Sequence, residues 1–436
     1  MNPSSQPVFL PGEGGGVSVR QPVMLKRMPR TVPQGPPYQS VLSSFREAFS
    51  SRQRFRTEVL AGLATSFALI PEVISFAILA GVSPAVGLFS TVVLCFVIAF
   101  TGGRPAMISG AAGATALVIA PLVASHGTDY LIVTVVLAGI IQVIFGLLGV
   151  AKLQRFITPE VMAGFANALG IMILTAQLEH IIGADWPVWV LFAIGIAILL
   201  IFPKITAAIP APLIVIAILT LMVVILGWRV PDVGDMGGLT GGVPEVRMPD
   251  VPWTWETFFL VLPYALGFAA VGLVESVMTG QLVDGMTMTS SNKTRECWGQ
   301  GVANIAAGAL AGTGGCGMIG QTMVNVEESH ARTRFSSMAA GGFLLLFILS
   351  LHQVVSAIPM AALAAVMVIV SLKTISWYTV IPKGLLRLPW QHSLVMMCVF
   401  TATLATNNLA VGVVLGAAVG VALKKIAPTE SGGEAD

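Results

Sequence analysis

Apolar runs of helical length recur along almost the whole chain, each bounded by charge, Pro or Gly. A run of about 20 mostly apolar residues can cross a bilayer as a helix. In hydrocarbon every backbone N–H and C=O must find a partner inside the protein, which leaves only helices or closed barrels. The rest of the composition agrees. Of 436 residues, 55% are hydrophobic and 10% charged, whereas a soluble domain carries roughly 25% charged residues. The mean hydropathy is +0.86. A soluble enzyme, a nucleic-acid binder and a disordered scaffold are therefore all disfavoured, and a formal net charge of +2 supplies no basic field for nucleic acid. Cys95, Cys297, Cys316 and Cys398 lie far apart, in neither a metal-ligand spacing nor a disulfide framework. The sequence predicts an all-α, polytopic membrane protein in contact with lipid, with no metal site and no resident cofactor.

Full-length spans are expected near residues 59–80, 83–101, 129–150, 159–182, 187–203, 210–228, 257–280, 295–312, 336–354, 357–376, 389–406 and 409–424. Two further apolar segments, 110–124 and 317–326, are too short to cross and follow Gly-rich sequence. Together they make about 14 segments. Lys and Arg are retained on the cytoplasmic side of short loops. With the N-terminus inside, every even-numbered connection should be basic, and each is: Arg104; Lys152 and Arg155; Lys204; Lys293 and Arg295; Arg332 and Arg334; Lys373, Lys383 and Arg387; Lys424 and Lys425. The outer connections hold Arg229 and Arg247 in an acidic loop with Asp232, Asp235, Glu245 and Asp250. Omitting either short segment inverts half of this pattern, so both are expected to turn the chain around. Residues 1–56 then read as a Pro/Gly/Ser-rich cytoplasmic tail with a basic flank, without a signal-peptide h-region. Residues 426–436 form a short cytoplasmic end.

The short segments resemble each other. Arg104–Ala111 aligns with Gly315–Thr322 when Met107-Ile108 is placed on Met318-Ile319, and each segment is then third in a block of seven. Seven is odd, so residues 57–228 and 257–425 form inverted repeats separated by an outer loop at 229–256. Interrupted helices at matching positions of inverted repeats mark a transporter's binding site. Glycine permits the extended backbone, and a helix starting there leaves free N–H groups. Two such ends meeting near the midplane offer about half a positive charge each, which suits an anion without any Lys or Arg. Gly-rich packing helices are the alternative.

Few acids lie within the expected spans, and each is a functional candidate because burying a charge there is expensive. Glu275 shares a helix face with Thr279, four residues on. A carboxyl can carry a proton, and an ionised one beside a hydroxyl can ligate Na⁺. Glu72 follows Pro71 in the first span; it either answers the proline's disruption of the helix or serves as a second proton group. Glu160 beside Pro159 suits a helix start. Glu179 and His180 read as an interfacial pair, and His126 and His352 as loop residues. Glu327, Glu328, His330, Arg332 and Arg334 read as a solvated inner connection.

Three stretches resemble one family. The run from Pro71 to Phe89, PEVISFAILAGVSPAVGLF, is similar to the first-helix signature of the SulP (sulfate permease) anion transporters. Arg104–Gly110 and Gly312–Thr322 resemble a bacterial branch of it, and the likeness covers about residues 57–425. The resemblance implies fourteen segments in two inverted sevens, half-helices at segments 3 and 10, and a core (1–4, 8–11) that moves like an elevator against a gate (5–7, 12–14). It implies a homodimer in the bacterial inner membrane. It also places a small anion among Phe76, Ser109, Gly110, Ala111, Ala112 and Gly113, with the facing set Gly317, Met318, Ile319, Gly320, Gln321 and Thr322. Glu72, Glu275 and Thr279 become the ion-coupling residues.

Three departures refine that expectation. Many relatives have Gln where Glu72 stands, and many eukaryotic ones have Ser-Arg where Gly320-Gln321 stand. Without that Arg, Glu275 would repel an anion unless H⁺ or Na⁺ neutralised it, which favours cation-coupled symport over exchange. The family's STAS domain normally follows the last helix, and this chain ends at Asp436. Sulfate, bicarbonate or a dicarboxylate such as fumarate are the candidate cargoes. A passive anion channel, an exchanger and a nucleobase:proton permease of the related fold are the alternatives. With no GxxxxGK[ST] loop, primary active transport lacks support.

Overall fold

The computed structural model describes residues 40–149, 158–178, 181–205, 211–236, 248–380, 390–406 and 408–426. Helices overlap every expected segment. The first block contains α1 (Val41–Ala48), α2 (Arg52–Leu79), α3 (Pro84–Thr101), β1 (Ser109–Gly110), α4 (Gly113–His126), α5 (Thr128–Leu147), α6 (Pro159–Leu178), α7 (Trp186–Ile205) and α8 (Ala211–Leu226). The second contains α9 (Trp255–Thr287), α10 (Lys293–Ala309), β2 (Cys316–Gly317), α11 (Ile319–Met323), α12 (Arg334–Ser350), α13 (His352–Ser356), α14 (Met360–Thr374), α15 (Trp377–Val380), α16 (Trp390–Thr406) and α17 (Leu409–Ile426). Among the described residues, six helices are long and apolar enough to cross a membrane, and five apolar helices are shorter.

Packing sorts the long helices into two groups. In the first, α12 lies on α2 and α3, α10 lies between α3 and α5, and α9 packs on α5. In the second, α16 joins α6 and α17, while α14 packs on α6 and α7. The first group is the expected core and the second the expected gate. They meet where α17 touches α9, α14 touches α2, and α4 touches α6. Close approach in the core depends on glycine. A Cβ on Gly139 of α5 would lie 2.7 Å from the Gly301 carbonyl of α10, and one on Gly301 would lie 2.6 Å from the Gly139 carbonyl.

Both short segments are broken helices. Residues 109–110 and 316–317 are extended and pair antiparallel, Ser109 with Gly317 and Gly110 with Cys316. Helix α4 begins at Gly113, three residues later than the sequence suggests, and α11 continues as one π-helical stretch, Val324–Glu328. The sequence alignment of the two segments is also corrected. The helix caps are Ala112 and Met318, so Met318-Ile319 corresponds to Ala112-Gly113 rather than to Met107-Ile108. The Met-Ile identity is coincidental; the extended residues and the cap define the repeat.

Other expectations change at the helix ends. The tail orders before residue 57: α1 buries Ser44 and Ala48, and α2 starts at Arg52. The connection after α11 is solvated only in part: Glu328 and His330 are exposed, but Arg334 is 1% exposed and donates to the Ala99 carbonyl, while Glu58 accepts from the Arg332 and Thr333 amides. His126 ends α4 and His352 starts α13, so neither is a loop residue. Glu160 lies in the first turn of α6 and pairs with His392 of α16. Glu179, His180, Lys152, Arg155, Glu245, Arg247, Lys383 and Arg387 lie outside the described residues, as do 427–436.

Candidate functional site: two helix ends at a strand crossing

An extended segment at membrane depth carries backbone groups that water cannot satisfy. Here side chains from the surrounding core helices satisfy them. In the first segment Asn325 donates to the Ala106 carbonyl (2.8 Å), Ser337 to Met107 (2.8 Å) and the Cys95 thiol to Ser109 (3.2 Å). The Ile108 amide donates to Thr322 Oγ1 (3.0 Å), and the Ala111 amide to Thr91 Oγ1 (3.0 Å). In the second, the Gly317 amide donates to Ser276 Oγ (2.9 Å) and the Gly317 carbonyl accepts from Thr279 (2.8 Å). The Met318 amide reaches the Ile108 carbonyl (2.9 Å), which ties the repeats together beyond the ladder.

The first turns beyond the crossing differ. The amides of Gly113, Ala114 and Thr115, and those of Ile319, Gly320 and Gln321, donate to no described protein group, and neither cap residue supplies a side-chain acceptor. Unpaired first-turn N–H groups carry the positive end of a helix dipole. Gly320 is exposed whereas Gly317 is buried, so the second end opens onto free space.

Two carboxyls border this opening. Glu72 of α2 is half-buried, with the Gln321 side chain beside it, and a Cβ on Gly320 would lie 3.7 Å from its Oε1. Gln321 Oε1 has no partner among the described residues. Glu275 of α9 is buried, accepts from the Cys316 thiol (2.9 Å) and lies close enough to Glu72 for the two to interact electrostatically. Thr279 spends its hydroxyl proton on backbone carbonyls, that of Glu275 or that of Gly317. Phe76, one turn from Glu72, lies against Gly113, where a Cβ would approach its ring to 2.7 Å and Ile173 of α6 to 3.0 Å.

The sequence-derived residues thus converge on one place, where they divide by what their polar groups do. Those of Ser109, Ala111, Gly317, Met318 and Thr322 are engaged in the crossing, as is the backbone of Gly110 through its pairing with Cys316; Ala112 caps α4; Gly113, Ile319, Gly320 and Gln321 present open amides. Sequence reasoning missed Thr91, Cys95, Gln142, Ser276, Gln300, Asn304, Asn325 and Ser337, which hold the crossing or its support. Each is an uncharged polar group inside an otherwise apolar span, and such groups are too common between packed membrane helices to mark a site alone. Among the described residues no cluster of His, Cys, Asp and Glu suits a metal ion. An apolar cavity of about 920 Å³ opens elsewhere, between α5 and the Trp253–Phe258 stretch.

A core and a gate of helices, with two broken segments meeting head to head, define the architecture of a membrane-embedded secondary transporter. The transmembrane domain of a cyanobacterium bicarbonate transporter, BicA, has the same fold at TM-score 0.72 and 23% identity, over 85% of this chain and 98% of that one. The overall structure of SLC26A9 matches at TM-score 0.74 and 18% identity, over 88% and 67%. The sulfate permease family model matches residues 55–188 and 183–403, and the chain belongs to that family. The "Putative sulfate transporter YbaR" of Bacillus subtilis is 44% identical over 361 residues, 83% of this chain and 75% of that protein. The "Bicarbonate transporter BicA" of Picosynechococcus is 26% identical over 372 residues, 77% and 65%. The protein is a membrane anion transporter and not an enzyme.

Proposed function

We propose that the protein is a proton-coupled symporter of a small oxyanion. The observation that carries this reading is the set of six unbonded amides at two facing helix ends, bordered by two carboxyls and no Lys or Arg. The amides attract negative charge. Ionised Glu72 and Glu275 oppose it, so cargo and protons bind favourably together: each proton taken up removes a repulsion that the anion otherwise meets. Sulfate and bicarbonate head the list of cargoes because relatives are described as transporters of them, and a dicarboxylate such as fumarate remains in it.

Movement of the core group against the gate group supplies alternating access. Support comes from the division of the packing, with Phe76 and Gly113 on the core side of a contact to Ile173 on the gate side. The site lies wholly within the core and can travel with its cargo. We further assign the protein to the bacterial inner membrane, with both termini cytoplasmic, as a homodimer.

Sodium coupling is the second reading. It is favoured by one feature: the Gly317 carbonyl, Thr279 Oγ1 and the Glu275 backbone lie together, one residue from Cys316, which contacts the Glu275 carboxyl. Uptake of labelled sulfate, bicarbonate and fumarate into proteoliposomes separates the two. Proton coupling requires accumulation under an inward pH gradient in sodium-free buffer. Accumulation that appears only with an inward sodium gradient overturns it.

A further inference from the structure

We propose that Asn304 of α10, backed by Gln300 and Gln142, is the positioning residue of the second half-site, fixing Gly315 and thereby the aim of the α11 amides. This rests on the anion-site reading above.

The problem solved at Gly315 is local. Its N–H and C=O both lie at a turn beside the crossing, where a Cβ would come within 2.0 Å of the Gly110 carbonyl. Asn304 answers both groups with one side chain: Oδ1 accepts from the Gly315 amide (2.8 Å), and Nδ2 donates to the Gly315 carbonyl (3.0 Å). Nδ2 also donates to Gln142 Oε1 of α5 (2.8 Å). One turn back on α10, Gln300 Nε2 donates to the same carbonyl (3.2 Å), and its Oε1 accepts from Ser109 Oγ (3.0 Å). Gln142, Gln300, Asn304 and Ser109 are fully buried. A single network therefore holds β2 through Gly315 and β1 through Ser109.

The chemistry needs a neutral amide. An amide carries its donor and its acceptor on two separate atoms of one short side chain, so it can meet the Gly315 N–H and C=O at once. A carboxylate would lack the donor and set a further negative charge behind an anion site. The first repeat is held differently. Thr91 and Cys95, one turn apart on α3, each make one bond to the segment, Thr91 accepting from the Ala111 amide and Cys95 donating to the Ser109 carbonyl. The second segment depends on the bidentate clamp because its next two residues carry other duties: Cys316 holds Glu275 and Gly317 is held by Ser276. A shift at Gly315 thus reaches the open amides and the carboxyl together.

The test uses the full chain in proteoliposomes, with Asn304→Asp, Gln300→Leu and Gln142→Leu. N-ethylmaleimide labelling is read at each cysteine by peptide mass mapping, with buried Cys297 as the internal control. Initial rates of labelled sulfate and bicarbonate uptake give KM and maximal rate. Losing the donor to the Gly315 carbonyl should raise Cys316 labelling and KM by about tenfold in Asn304→Asp, the equivalent of one buried hydrogen bond. Gln300→Leu should move both in the same direction by about threefold. Gln142→Leu keeps both Asn304–Gly315 bonds but removes an acceptor from Asn304 Nδ2, so it should move labelling and KM in the same direction by less than Gln300→Leu, and maximal rates per folded molecule should hardly change. Unchanged Cys316 labelling, an equal rise at Cys297, or a fall in maximal rate alone would overturn the proposal. If the wild-type chain carries neither sulfate nor bicarbonate, that cargo assignment fails, and the labelling pattern alone decides the positioning role.

Discussion

Ser109 stands opposite Gly317, and with Gly110 opposite Cys316 this ladder is the one place where the two inverted halves hydrogen-bond strand to strand among the described residues. Each strand then runs directly into a helix start, so the register of two residue pairs sets where both positive helix ends point. Sub-ångström changes at the crossing should therefore matter more than larger ones elsewhere.

Glycines on the two sides of β2 should behave oppositely. A Cβ on Gly315 meets the Gly110 carbonyl at 2.0 Å, a backbone atom that cannot move aside. Gly315→Ala should lower stability by about 1–3 kcal/mol or more and abolish uptake, seen as a reduced thermal midpoint in detergent. A Cβ on Gly320 meets only the Glu72 carboxyl, at 3.7 and 3.9 Å. Gly320→Ala should fold normally and raise KM several-fold by crowding the open amide.

The sequence made the architecture legible because two independent constraints agreed. The spacing of apolar runs predicted the segments, and Lys/Arg parity required residues 110–124 and 317–326 to reverse the chain. Glu72, Phe76 and Glu275 were found because a carboxyl in a span, or a residue of a helix signature, stands out. The offset between the repeats was misread because a Met-Ile pair mimics homology, whereas the true equivalence rests on extended backbone and an uncapped helix start, which many residues allow. Arg334 was misplaced because its partners are remote in sequence: its amide donates to Ser44 of α1, in a tail whose composition suggested disorder, and its guanidinium to the Ala99 carbonyl of α3. The Asn304 clamp was missed because a single amide in a small-residue helix has no periodic signature.

Thr279 separates a structural hydroxyl from an ion ligand. Its Oγ1 donates to the Gly317 carbonyl at 2.8 Å, so Thr279→Val strands a buried acceptor and should cost about 1–3 kcal/mol. Thr279→Ser keeps the donor and should recover most of that loss. Under proton coupling, the valine variant should still accumulate anion under a pH gradient, per folded molecule. Under sodium coupling it should lose its sodium dependence, as flux measurements at varied sodium would reveal.

At the far end of α9, one carboxylate holds two cations. Asp284 accepts from Arg104 (3.0 Å) and Lys293 (2.7 Å), all with little exposure, while Glu296 accepts the Gly103 and Arg104 amides (2.7 and 3.0 Å). Asp284→Ala would leave two buried positive charges uncompensated, a loss of about 3–5 kcal/mol. Arg104 leads into β1, so the variant should also weaken uptake. Because both sites belong to buried groups, added salt should restore little, which thermal unfolding at two ionic strengths can check.

Glu275 and Glu72 should divide the work of coupling. Glu275 is buried and held by the Cys316 thiol, whereas Glu72 is half-buried beside the open Gly320 amide. Glutamine at 275 mimics a permanently protonated carboxyl, removing repulsion toward the anion but also the proton that links its movement to the gradient. Glu275→Gln should therefore still bind and exchange anion while its accumulation ratio under an inward pH gradient falls to about one. Glu72→Gln removes a negative charge at the mouth and keeps Glu275 able to titrate, so accumulation should persist with a lower KM and a weaker dependence on external pH. Counterflow and net uptake, measured side by side on both variants, decide the assignment: gradient-driven accumulation that survives Glu275→Gln and vanishes with Glu72→Gln would reverse the two roles.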